Sequence, residues 1–513
     1  MQVLSFTLSL TLTLLFFIYG FNHYYLLKAA RAYQPPPLPD DPFFRPDVSI
    51  HLPVYNEKYV IRRLVAACAA MAEAYGIEKV SILILDDSDD DTVQEVDKVV
   101  KEYLEKHFKI EILRRASRSG FKAGALQAAL DRTKEEFIAI FDADFIPPVD
   151  FLLRTLPYFK RDEHLGIIQS RWTHLNRNYN FLTRVIALGI DVHFFIEQTG
   201  RYAVGCFQNF NGSGGVLRRK AVLQAGGWSA DTLAEDLDLS YRMQSQEYKI
   251  LFLKDLHSPG ELPPTIPSFK KQQGRWANGS LRTARKILPS LLLDHRFGFM
   301  QRLQAFIHLT GFMIQPLMVF SFVLTCLTTL SGINNPSTTQ SSTLIPASGK
   351  LLMAGVIPIV TLQNLIWAIL FPFIVLCTLA PWISSLTTLK AQNLSPVRHL
   401  PTLFGLLLLG FGLSLSNTRE AGKALFTNRI WEFNRTPKYA DLQNKQEWRL
   451  KKYQISLDLL WISELVFVMS GIWAIRIAVQ QMNFPVLLIL VPFTISYGFV
   501  LLFSILQSQK GKA

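Results

Sequence analysis

The sequence predicts an α/β domain built on a mainly parallel sheet and joined to an α-helical region that crosses a membrane several times. Three observations predict it. Between residues 48 and 145, aliphatic runs of strand length alternate with stretches of helical spacing. Two of those runs end in carboxylates, and outside residues 28–300 the chain of 513 residues turns repeatedly apolar. Alternation of this kind needs crossover connections, which place helices on both faces of a parallel sheet.

Taken in order, VSIHLPV (48–54) reads as a buried strand, and YNEKYVIRRLVAACAA after it carries apolar residues at helical spacing. VSILILDDSDDD (80–91) is an aliphatic strand ending in acids, and KIEILRR (109–115) is the next strand. KAGALQAALDRT (122–133) reads as a helix, and EFIAIFDADF (136–145) as a strand ending in Asp-Ala-Asp. Farther on, FNGSGGVLRRKAVLQAGGW (210–228) sets glycines near a helix, and TLAEDLDLSYRM (232–243) opens a helix with Glu235 and Asp236.

Residues 1–27 carry no charged side chain, and Lys28 and Arg31 follow. That order predicts a retained anchor entering from outside and a cytosolic domain over 28–300. Within 301–513, spans are expected at about 305–330, 351–383, 457–475 and 484–506, five crossings in all. The run 401–416 is short for a crossing and is read as interfacial, which keeps the basic loop 417–456 inside. LRTARKILPSLLLDHRF (281–297) mixes basic and apolar residues as a helix on the cytosolic leaflet does. The net charge of +13 suits a surface against anionic membrane lipid, whereas no nucleic-acid recognition motif is present. The four cysteines, Cys68, Cys206, Cys326 and Cys377, have neither metal-ligand spacing nor a disulfide pattern.

In a parallel sheet, ligands bind beyond the carboxyl ends of the strands. Asp86 and Asp87 end one strand, Asp142 and Asp144 another, so four acids converge on one rim. Acids also follow strands as turn formers, and either pair alone admits that reading. Together they call for a cation, and a divalent ion on a diphosphate is the usual solution. Arg118 and Lys122, at the start of a helix, stand ready to neutralise phosphates.

Read together, YNE (55–57), DDS (86–88), KAGAL (122–126), DAD (142–144), AED (234–236) and QQGRW (272–276) resemble the processive family 2 glycosyltransferases, and are most similar to the cellulose-synthase-like mannan and glucan synthase branch and its bacterial relatives. IIQSRWTHLN (167–176), FNGSGG and AGGW extend the likeness. The resemblance implies a GT-A fold, a Rossmann-like α/β domain in the cytosol, beside a multi-pass helical membrane region, in a protein of the plasma (inner) membrane. It implies that Asp87 with Asp86 contacts the donor base, that Glu57 and Lys122 help bind the nucleotide sugar, and that Asp142 and Asp144 hold Mg²⁺ or Mn²⁺. Asp236 becomes the base that deprotonates the acceptor hydroxyl. Gln272, Arg275 and Trp276 form a Q-x-x-R-W motif, with Arg275 on the leaving diphosphate and Trp276 beneath the acceptor sugar. The family's Thr-Glu-Asp is Ala234-Glu235-Asp236 here. FNRTPK (433–438) is similar to a gating loop, with Phe433, Thr436 and Lys438 closing over the donor.

By that resemblance the chain is an inverting hexosyltransferase that polymerises a β-linked glucan or mannan and passes it outward. UDP-glucose is the preferred donor and GDP-mannose the second. The acceptor is a growing polysaccharide or, in the alternative, a lipid of the ceramide or diacylglycerol type.

Overall fold

The computed structural model describes residues 2–39, 41, 43–332, 372, 375, 376, 378–427 and 458–508. The loop FNRTPK, with Phe433, Thr436 and Lys438, therefore lies outside the described residues, as do Cys377 and most of the expected span 351–383. The chain forms two compact units, Leu26–Thr310 with Glu420–Ile455, and Met1–Tyr25 with Gly311–Arg419 and Ser456–Ala513.

The first unit is a seven-stranded sheet of order β3-β2-β1-β4-β6-β5-β7. The strands are β1 (Val48–Val54), β2 (Val80–Asp86), β3 (Lys109–Leu113), β4 (Phe137–Ile140), β5 (Leu165–His174), β6 (Gly215–Arg218) and β7 (Lys249–Gly260). β1, β2, β3 and β4 run parallel, as do β5 and β7, and β6 is antiparallel to both of its neighbours. Six strands thus point the same way, and their carboxyl ends share one rim with the amino end of β6. The expected parallel sheet is present, with β6 reversed inside it.

Helices cover both faces, as the alternation predicts. On one side α2 (Ile61–Tyr75) and α3 (Thr92–Glu105) bury Leu64, Val65, Cys68, Val96 and Val99 against Ile50, Leu52 and Ile82. On the other, α4 (Phe121–Arg132) and α5 (Glu235–Ser245) bury Leu126, Leu130, Leu239 and Met243 against Ile138, Ile140 and Leu217. Because successive strand residues point to opposite faces, each fully apolar strand serves both cores. Cys68 and Cys206 are free thiols, as is Cys326 of the second unit.

The stretch around QQGRW belongs to one 28-residue helix, α6 (Ile266–Leu293), capped by the Thr265 hydroxyl and opened by Pro267. The chain breaks at Asp294–Gly298 and resumes as α7 (Phe299–Leu309). Here the structure moves an expected boundary. Ala305 and Leu309 are buried with Phe207, Tyr241, Leu288 and Leu291 in a core of the first unit, so the long apolar helix begins at Gly311 rather than at 305.

Four described helices are long and apolar enough to cross a membrane. These are the Thr7–Arg31 part of α1 (Gln2–Arg31), Gly311–Leu330 including α8 (Ile314–Leu330), α11 (Leu460–Gln480) and α12 (Phe484–Gln507). The apolar run near 401–416 forms α9 (Leu400–Gly412), which meets α10 (Ser414–Phe426) at a bend of 42°; counted as one span, the pair makes five. In the second unit, Phe322, Phe467, Phe493 and Tyr497 pack together where α8, α11 and α12 meet.

Candidate active site

The rim carries a cleft of about 220 Å³. Its lining gathers Glu57 after β1, Asp87 after β2, Lys122 of α4, Asp142 and Asp144 after β4, Asp236 of α5, and Gln272, Arg275 and Trp276 of α6. Nine of the sequence-predicted residues, drawn from six segments over more than 200 positions, therefore face one space.

Asp86 does not line it. Its enclosed carboxylate accepts from Arg114 Nε at 2.9 Å and from the Ser88 amide at 3.1 Å, so within the acid pair it is Asp87 that faces the cleft. Asp87 is in turn gripped at both oxygens by Arg115, at 3.0 and 2.5 Å. Arg115 also donates to the carbonyls of Ser119 and Phe121, tying the acid to the turn that starts α4. Sequence reading missed these two arginines, because strand pairing is what brings them beside the acids. β2 and β3 are parallel neighbours with Leu85 beside Leu113, so the next residues along, Asp86-Asp87 and Arg114-Arg115, fall side by side. Arg118, which also lines the cleft, lies over the Tyr55 ring, 3.3 Å from its centroid.

Lys122 is enclosed among the acids. Its ammonium lies 2.6 Å from Asp142 Oδ1 and 3.7 Å from Glu235 Oε1, and donates to the Gly212 carbonyl at 2.9 Å. Burial pulls its pKa down, but Asp142, Glu235 and Asp236 outweigh burial and hold it above the usual lysine value. Asp142 is further fixed by its own amide, which donates to Ser213 Oγ at 3.0 Å. Asp144 is held from behind, where Arg63 reaches its carbonyl and pairs with Glu261 at 2.8 Å.

Asp236 opens α5 and accepts from the Leu237 amide at 2.8 Å. Burial, then the Glu235 charge, push its pKa up to about 7 against the pull of Lys122. A carboxyl poised near neutrality suits a general base. Space beside it depends on Gly212, whose φ of +81° favours glycine; a Cβ there would sit 2.7 Å from Asp236 Oδ2.

Gln272, Arg275 and Trp276 stand at i, i+3 and i+4 and so share a helical face. Arg275 is partly buried. Burial lowers its pKa, while Glu235, Asp142, Asp144 and Asp236 all act to raise it, so it faces the whole acid cluster. Gln272 Oε1 is buried with no hydrogen-bond donor among the described residues, as expected of a group that meets a ligand. The approach of α6 also accounts for Ala234. A Cβ on Gly279 would lie 2.5 Å from the Ala234 Cβ, so small residues on both sides let the helix reach the loop before Asp236.

Asp142 and Asp144, which both line the cleft, are the carboxylates that would hold a divalent cation of the Mg²⁺ or Mn²⁺ type. Among the described residues no group of three or more His, Cys, Asp or Glu side chains forms a metal cage. A pair of carboxylates suits an ion that completes its shell with phosphate oxygens and water.

Comparison with known proteins follows the same residues. The pattern of "Glycosyl transferase family 2" matches residues 49–223, and that of "Glycosyl transferase family group 2" matches 137–388. A probable glucomannan 4-beta-mannosyltransferase of Oryza sativa subsp. japonica is 36% identical over 253 residues, covering 48% of this chain and 43% of that protein. Glucomannan 4-beta-mannosyltransferase 1 of Cyamopsis tetragonoloba is 34% identical over 262 residues, 50% of this chain and 49% of its own length. The chain thus spans about half the length of the relatives it matches. Among solved structures, a mannosyltransferase of Pyrobaculum calidifontis in complex with GDP-mannose and Mn²⁺ superposes with a TM-score of 0.50 at 16% identity, covering 73% of this chain and 98% of that one, which is a likeness of fold.

Proposed function

The chain belongs to glycosyltransferase family 2, and from that premise we propose that its cleft transfers a hexose with inversion from a nucleotide diphosphate sugar to a growing β-linked polysaccharide. The observation that carries the reading is that Asp236, Arg275, Lys122 and the acids Asp142 and Asp144 line one cleft, with Lys122 paired to Asp142 at 2.6 Å. Asp236 takes the proton of the acceptor hydroxyl, whose oxygen bonds to the anomeric carbon. The bond from that carbon to the diphosphate breaks, and its electron pair stays on the leaving oxygen, where Arg275 and Lys122 offset the charge. Trp276 supplies an apolar face for the acceptor ring, and Gln272 Oε1 accepts from a sugar hydroxyl. Asp87, Glu57 and Lys122 bind the donor, and Asp142 and Asp144 would hold the divalent cation, which neutralises the diphosphate when bound.

The relatives named above transfer mannosyl units in β-1,4 linkage, so GDP-mannose becomes the leading donor here and the UDP-glucose expected from sequence the second. Long apolar helices support a multi-pass membrane protein, and a place in the plasma membrane, a cleft in the cytosol and export of the chain belong to the same proposal. The test is to reconstitute the full chain in nanodiscs with Mg²⁺ or Mn²⁺ and to size the product from labelled GDP-mannose and UDP-glucose. A large product cleaved by β-mannanase supports the reading, and cleavage by β-glucanase reassigns the donor. Label that stays on one or two sugars in the lipid phase would replace the polysaccharide acceptor with a lipid.

A further inference from the structure

Away from the cleft, β5 and β7 carry a cluster of basic side chains for which the proposed chemistry has no use. Arg171 and His257 are register partners, and Arg171 donates both to the Lys254 carbonyl at 2.9 Å and to His257 Nε2. Arg171 and Lys254 lie over the same ring, that of Phe195, at 4.6 and 4.9 Å from its centroid. Arg154 joins them by donating to the Asp255 carbonyl at 3.2 Å. Asp255 is the acid acting on this group from β7, and Asp191 acts on Arg171 from the neighbouring helix. Asp191, however, is already bound by His174 at 3.1 Å and by Arg177. Burial holds Lys254 and His257 below their ordinary pKa values; Arg171 adds to it at both, while Asp255 opposes, at Lys254 more strongly than Arg171 acts. A set of cations pressed together in this way gains from an added anion.

The location identifies the anion. Lys254 also sits over the Tyr33 ring at 5.6 Å, and its amide meets the Tyr33 hydroxyl at 3.4 Å. Tyr33 lies two residues beyond α1, a helix able to cross a membrane, whose last turn carries exposed Lys28 and Arg31. That end of α1 is fastened to the same unit: Leu26 and Leu27 are buried, and Gly200 admits the Leu26 carbonyl so closely that a Cβ there would be 2.6 Å away. Tyr33 packs on Tyr202 at 5.7 Å, a pair of the kind that settles at headgroup level. We propose that Arg171 and Lys254, with Tyr33 and Phe195 beneath them, form a binding site for the phosphate of an anionic phospholipid in the leaflet where α1 ends. Arg171 precedes Trp172, which lines the cleft, so an occupied site would also steady the β5 edge of that cleft.

The full chain, purified in detergent from mixed phosphatidylglycerol and phosphatidylcholine, tests this by native mass spectrometry of the lipid it retains. Wild type should hold phosphatidylglycerol in preference to phosphatidylcholine. Lys254→Gln should cut that retention about fivefold, the scale of one cation at a charged surface. Asp255→Asn, which removes the opposing acid, should increase it, an effect that misfolding cannot imitate. Lys220→Gln, an equal loss of charge at an exposed residue elsewhere, should leave it unchanged. The proposal is overturned by absence of preference in wild type, by equal losses in Lys254→Gln and Lys220→Gln, or by release of the lipid with millimolar inorganic phosphate, which would mark a site for soluble anions.

Discussion

The pH dependence of transfer tests the assignment of Asp236 directly. Its carboxyl is raised to about 7, chiefly by burial and next by Glu235, with Lys122 opposing. A base with that pKa is ionised in about one tenth of molecules at pH 6 and about nine tenths at pH 8. The kcat/KM for the acceptor should therefore climb nearly tenfold across those two units and level off above. Each neighbour then predicts a shift of known sign. Glu235→Gln removes a charge that raises the pKa and should move the inflection to lower pH, whereas Lys122→Met removes one that lowers it and should move the inflection higher. Asp236→Asn should abolish transfer while donor binding, measured by calorimetry, persists. The same variant should melt at a higher temperature than wild type at pH 8. A carboxyl whose folded pKa lies above its unfolded value destabilises the fold progressively as pH rises from about 4 towards 7, and fully above that. Shifts of the same sign in Glu235→Gln and Lys122→Met, or near-normal turnover in Asp236→Asn, would refute the role of Asp236 and the electrostatic account together.

Three further outcomes follow from the geometry. Gly212→Ala forces a side chain at φ +81° and places its Cβ 2.7 Å from the Asp236 carboxylate, so transfer should fall at least a hundredfold in a protein that still folds, checked by turnover and circular dichroism. Arg275→Ala should lower kcat by a factor on the order of a hundred, about 3 kcal/mol of lost charge stabilisation, with a smaller change in donor KM. Arg115→Ala should do the reverse, raising the donor KM with little change in kcat, because it releases Asp87 from a two-point grip without touching Asp236.

Half of the sheet could be read from the sequence because its strands are nearly pure aliphatic runs followed by helices of clear period. β1 to β4 all sit within a residue or a few of their expected places. β5, β6 and β7 could not be read in the same way. β6 is four residues long, and its glycine-rich approach reads as a loop before a helix. β7 mixes buried Ile250 and Phe252 with exposed Lys249 and Asp255, the pattern of a sheet edge. The reversal of β6 is a property of tertiary pairing, with Gly215 set against Ile140 and Gln169, and no local signal encodes it. The start of the long apolar helix at Gly311, rather than about 305, was hidden for a related reason. A helix buried in a protein core and one buried in lipid are both apolar, and only the partners of Ala305 and Leu309 tell them apart.

In the site, the acids were legible and the groups that aim them were not. Carboxylates at strand ends announce themselves, but nothing local assigns Asp87 to the cleft and Asp86 away from it. That choice is made by Arg114 and Arg115 on the adjacent strand, which take one acid each. It follows that exchanging the acids is not neutral. Asp87→Asn leaves Arg115 enclosed beside a weaker partner and should lose donor affinity, whereas Asp86→Asn leaves a half-exposed Arg114 still paired with Asp97 at 2.8 Å. Donor titrations that show equal losses for the two substitutions would mean that the cleft reads the pair as one charge, and that the arginines do not sort it.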